Sequence, residues 1–135
     1  MFLLKKYFQN EKGSTATEFG IIAIAFIAVL FSIIEGGRLF LTWNGFQYAL
    51  ENAARVAMVD QDITSIEVEA LVDNQLDTFL MDENNASISV SFSSSASGIN
   101  FIEIDGSYDY TVMVPLMPDS WSSYTLTGQS RLPRP

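Results

Sequence analysis

Residues 19–34 read FGIIAIAFIAVLFSII, from Phe19 to Ile34, sixteen residues without a charge in which only Gly20 and Ser32 are not apolar. At 1.5 Å per residue a helix of this length covers ~24 Å, slightly less than the ~30 Å hydrocarbon core, so a full span borrows residues on either side. Leu39, Phe40, Leu41 and Trp43 can supply them. The eleven Ile, Phe, Leu and Val residues of the run favour insertion by about 3 to 7 kcal/mol, an upper bound because the scale applies at mid-membrane. The run is therefore expected to enter a bilayer.

Upstream, residues 1–13 carry Lys5, Lys6 and Lys12 against Glu11, a short basic head. Downstream the chain is acidic, so the charge bias puts the N-terminus in the cytoplasm and the C-terminal region outside. A removable secretory signal would also have a basic head and an apolar middle, but it should end in an A-x-A-like site just beyond the apolar stretch. Here Ala23-Ile24-Ala25 lies inside the stretch, and Glu35-Gly36-Gly37 puts an acid where a small residue is wanted. A retained single-pass anchor is the favoured reading.

Helical periodicity continues past the apolar run. Phe40, Trp43, Phe46, Leu50, Ala53 and Ala57 recur at three- and four-residue steps, which predicts one long helix from about Thr15 to Met58 with one apolar face. A second helix is expected from Thr64, because Thr64-Ser65-Ile66-Glu67 fits a capping box. Its buried stripe would be Val68, Leu71, Val72, Leu76, Phe79 and Leu80, and Asp82-Glu83-Asn84-Asn85 would mark its end. Beyond residue 85 the period becomes two, with Ile88, Val90 and Phe92 alternating with serines, the pattern of a half-buried strand. Ile102 and Ile104 lead into Asp105-Gly106, and Tyr108, Tyr110, Val112 and Val114 follow, which predicts a hairpin turning at Asp105-Gly106. Pro115 and Pro118 would end that strand, and Tyr124–Leu132 would add a last one, closed by Pro133 and Pro135. The expected class is α+β: a long N-terminal transmembrane and spine helix, a second helix and a small antiparallel sheet. The expected division is a leader at 1–13, the spine helix at 14–60 and an extracytoplasmic α+β domain at 61–135.

The sharpest local signal is Gly13-Ser14-Thr15-Ala16-Thr17-Glu18-Phe19, where basic head meets apolar run. It resembles the processing site of type IV prepilins and pseudopilins, in which a membrane peptidase cuts after the Gly and the fifth mature residue is a Glu followed by an aromatic. Gly13, Glu18 and Phe19 match those positions. Ser14 would become the new N-terminus, where many members of that family carry a methylated Phe. The segment IIEGGRLFLTWNGFQYALENAARVAM also resembles the TadE-like pseudopilins of tight-adherence (Flp) pili, through Glu35, Gly37, Arg38, Asn52, Ala53, Ala54 and Arg55. The likeness covers roughly the first 60 residues.

A carboxylate at the edge of an uncharged membrane helix is costly unless paired. With the leader removed, Glu18 of one subunit would pair with the Ser14 amine of its neighbour and favour one axial stagger. The plainer reading is that Glu18 complements the positive helix N-terminus. Glu35 and Arg38, at i,i+3, form either a helix-surface pair or a subunit-docking element, and Gly36-Gly37 either a close-packing site or a place where the helix loosens.

With 7 basic and 16 acidic residues, no His and no Cys, the composition argues against nucleic-acid binding and removes imidazole, thiol and His/Cys zinc chemistry. Asp60-Gln61-Asp62 and Asp82-Glu83-Asn84-Asn85 do not begin a calcium loop with its central Gly and terminal Glu. No catalytic residue, metal or cofactor is expected. The resemblance implies a structural subunit, a minor pseudopilin of tight-adherence pilus assembly in the bacterial inner membrane. Its partners would be the prepilin peptidase, other pilin and pseudopilin subunits, the inner-membrane pilus assembly machinery and membrane lipid. The rivals are a minor pseudopilin of a type II secretion or type IV pilus system and a membrane-anchored binding module that never polymerises.

Overall fold

A computed structural model of the chain describes residues 11–60, 62–96, 98–114 and 121–134. Most of the basic leader and the prolines at 115, 118 and 135 lie outside the described residues. Five elements carry the fold: helices α1 (Glu11–Val59) and α2 (Ser65–Thr78), and strands β1 (Ala86–Ser94), β2 (Asn100–Thr111) and β3 (Ser123–Arg134). The class is α+β, with a long apolar N-terminal helix, a second helix and a three-stranded antiparallel sheet of order β1-β2-β3. Contacts divide the chain into two units, Met1–Gly36 and Gly37–Pro135.

In the first unit α1 is helical from Glu11 and carries the apolar run, whose large side chains from Phe19 to Ile34 are all exposed. With no proline before residue 115, nothing removes a backbone donor along it. Ser32 turns its hydroxyl back onto the helix and donates to the Ala28 carbonyl at 2.8 Å, which satisfies the run's one hydroxyl side chain locally.

In the second unit the core is built from α1, α2 and β2, with Met81 added from the connection after α2. α1 contributes Phe46, Ala49, Leu50, Ala53, Ala54 and Ala57; α2 contributes Val68, Val72 and Leu76; β2 contributes Ile102, Ile104, Tyr108 and Tyr110. Phe40 and Trp43, on the same apolar face by their spacing, are exposed, and the buried part of that face begins at Gly45 and Phe46. The alanines allow α2 to approach α1, and Asn52 donates to the Gln75 side chain across that contact at 3.1 Å. α1 ends at Val59, where Asp60 accepts from the Asp62 N–H at 3.0 Å and turns the chain.

α2 starts as its sequence predicts. Thr64 is the N-cap: its N–H donates to the Glu67 carboxylate at 2.8 Å and its hydroxyl accepts from the Glu67 N–H at 3.4 Å. Its end differs from expectation. The helix stops at Thr78, Leu80 takes the left-handed φ of 56°, and the Leu80 and Met81 N–H groups return to the carbonyls of Asp77 and Leu76. This is a Schellman stop with a leucine where glycine is usual. The reversal buries Met81 beside Leu76 and turns Leu80 outward, so Phe79 and Leu80 are exposed and not part of the buried stripe.

The expected turn at Asp105-Gly106 does not exist. β2 runs unbroken from Asn100 to Thr111, with Gly106 opposite Ile88 on one side and Gly128 on the other. The chain reverses at Ser95–Ile99, where the Ser95 N–H donates to the Ile99 carbonyl at 2.8 Å and Gly98 has φ 79°. The reason lies in packing. A Cβ on Gly106 would stand 2.7 Å from Phe46 Cζ, and one on Gly128 would stand 2.8 Å from Leu50 Cδ1. The paired glycines are a slot that admits α1 onto the sheet, a close backbone approach and not a turn. The second strand stops at Thr111, before Val112 and Val114, and β3 extends to Arg134 with Pro133 opposite Phe101. An edge strand tolerates that proline because its missing donor costs no ladder bond when it points outward.

Candidate assembly segment

Of the residues singled out in the sequence, Gly13, Ser14, Glu18 and Phe19 fall in the first turns of α1, with Glu18 and Phe19 exposed. Ser14 and Glu18 are four residues apart along the helix. The whole of Thr15–Val59 forms one helix long and apolar enough to cross a membrane, and its most apolar window is nowhere buried within the chain. Among the described residues of this unit, none covers that surface.

The Glu35–Arg38 cluster sits where the two units meet in sequence, the division falling between Gly36 and Gly37. α1 is helical through both glycines, and a Cβ on either would meet nothing within 4 Å. Arg38 belongs to the second unit, where its guanidinium lies over the Tyr110 ring at 5.5 Å from the centroid, a cation–π contact. Asn52, Ala53 and Ala54 turn out to be packing residues: the alanines are essentially inaccessible and Asn52 binds α2, while Arg55 is exposed.

Electrostatics in the second unit are shaped by local caps. The Thr64 backbone N–H, and then its hydroxyl, hydrogen-bond to Glu67 and hold its carboxyl below the usual glutamate range. The Asn84 side chain and then its N–H do the same for Asp82 at the short 3-10 turn Glu83–Asn85. Among the described residues no group of three or more Asp and Glu is arranged to hold a metal ion, and no buried side-chain nitrogen or oxygen lacks a hydrogen-bond partner. Sequence reasoning missed the glycine slot and the leucine-capped stop of α2. Gly128 was a visible signal for the slot, since two strands each carrying one interior glycine are what a closely packed helix requires.

No curated protein and no solved structure matches the chain. Residues 13–55, from Gly13 through the apolar run to the packing alanines of α1, match the TadE-like protein family, which identifies this segment as TadE-like and the chain as consistent with a protein of the Tad pilus system.

Proposed function

We propose that the chain is a minor pseudopilin, a structural and non-enzymatic subunit of tight-adherence pilus assembly. A prepilin peptidase cuts it after Gly13 on the cytoplasmic face of the inner membrane, leaving Ser14 as the N-terminus. The observation that carries this reading is the TadE-like match, whose first residue is Gly13 and whose length takes in the apolar run. α1 leaves the bilayer by exchange of partners: lipid covers the exposed run in the membrane and helices of other pilin and pseudopilin subunits cover it after assembly, so it never faces water. In that exchange Glu18 pairs with the Ser14 amine of a neighbour and sets the axial stagger.

Co-expression with the cognate prepilin peptidase followed by intact-mass measurement tests the first step. The mature chain is expected to begin at Ser14, and Gly13→Ala to stay at full length; unchanged processing of that variant would remove the basis of the proposal. Glu18→Ala should be cleaved normally yet fail to support piliation, and normal pili from it would show that the carboxylate has no part in assembly.

A further inference from the structure

The chain has two tryptophans, Trp43 and Trp121, and both are largely exposed. With them stand Leu41, Leu80 and Met113, at 71%, 95% and 72% exposure. Within the second unit Leu41, Leu80 and Met113 gather at one end, and Trp43 follows Leu41 by two residues on α1. The Arg38–Tyr110 contact puts the last residues of β2 beside the first turn of α1 in that unit. Val112 donates to the Ser122 carbonyl at 2.8 Å and closes the β2–β3 connection with Met113 and Trp121 just inside it. Leu80 and Met113 line one surface depression together with Arg38, Leu41 and Tyr110.

That end is also the one tied by the chain to the membrane anchor. Arg38 follows Ile34 by four residues, no more than ~14 Å of chain. Its composition fits the layer that begins there: indole rings that tolerate both water and hydrocarbon, aliphatic side chains between them, and an arginine whose guanidinium lies over a tyrosine ring. The other exposed aliphatics of the unit, Val56, Val59, Ile66 and Ile99, have no tryptophan beside them in sequence. Leu80 adds a second sign: the reversal at φ 56° is used by the core to bury Met81, but the leucine side chain itself is 95% exposed and contributes nothing to that core.

We propose that this end of the second unit lies in the headgroup layer of the bilayer in which α1 is anchored, with Leu80 and Met113 dipping toward the hydrocarbon and Trp43 and Trp121 at the interface. The proposal rests on membrane anchoring by α1 and is independent of the pilus reading. Because the chain's distal part is acidic, the contact is apolar and should form on zwitterionic lipid, without need of anionic headgroups.

The absence of cysteine allows single labels. The full-length chain carrying Leu80→Cys, Met113→Cys, Ser89→Cys or Ile24→Cys is nitroxide-labelled and reconstituted in phosphatidylcholine vesicles at two protein-to-lipid ratios. Accessibility to a water-soluble nickel chelate and to oxygen is then compared. Labels at 80 and 113 should be roughly fivefold or more less accessible to the chelate than the label at 89, yet open to oxygen, at both ratios. Equal chelate access at 80, 113 and 89, with 24 shielded, overturns the proposal. So does shielding at 80 and 113 from both reagents that appears only at high protein density, which would mean that a protein covers this end. A label at 24 open to the chelate overturns the proposal together with its premise.

Discussion

Gly106 and Phe46 are sixty residues apart in sequence, and their contact decides how α1 meets the sheet. A methyl group at Gly106 would fall 2.7 Å from Phe46 Cζ and 3.1 Å from Leu50 Cδ2. Both side chains are fully buried, and the Phe46 ring also packs on Tyr108 at 5.9 Å between centroids, so neither can swing away without displacing others. Gly106→Ala is expected to destabilise the second unit by about 1 to 3 kcal/mol through overpacking, read as a lower thermal midpoint in detergent. In a Phe46→Leu background, which removes the ring, the same substitution should cost less; strictly additive effects would show that the ring is not what excludes the Cβ. The misplaced turn follows from the same pair. Asp-Gly carries the local signature of a type I′ turn, and a glycine needed for a flexible φ cannot be told from one needed for closeness until the partner helix is known.

At the scale of elements, what was legible is what is local. The capping box of α2 is contained in four consecutive residues, and Thr64 and Glu67 form it as their spacing requires. The stop of α2 was illegible because no glycine or asparagine marks it; the signal is the long-range burial of Met81, which draws Leu80 into the left-handed region. Thr64→Ala should destabilise the second unit by about 1 kcal/mol, the usual worth of an N-cap hydroxyl. The cap also makes a pH prediction. Glu67 and Asp82 are both held below their ordinary values in the folded chain, so their contribution is present above the unfolded carboxylate range of ~3.9–4.3 and is lost as the pH falls through the lower folded values. The thermal midpoint of a Glu67→Gln, Asp82→Asn variant should therefore fall less steeply with acid than that of the wild type. Parallel curves would mean that these two carboxylates do not couple folding to protons.

Over the whole molecule, charge and apolarity are sorted along the chain. From Asp60 onward twelve acids face only Arg131 and Arg134, the basic head precedes Gly13, and the uncharged run lies between. The membrane-compatible character of that run was readable because it needs only composition and length, whereas the fit of α1 to the sheet needed contacts between distant residues. The two units consequently depend on different physics, lipid or partner solvation for the run and internal packing for residues 37–135. A single charge in the run should separate them. Ile27 stands near its middle, and Ile27→Asp exchanges a favourable insertion term for an unfavourable one, a change of about 3 to 4 kcal/mol against a total of about 3 to 7. The expected result is a large fall in the fraction of chain that resists extraction from membranes, with Ile27→Leu unaffected. In detergent, the thermal unfolding of the second unit should be the same in both variants. An Ile27→Asp chain that stays fully integral would show that the run is not the anchor, and a shifted unfolding midpoint would show that the second unit draws stability from the first.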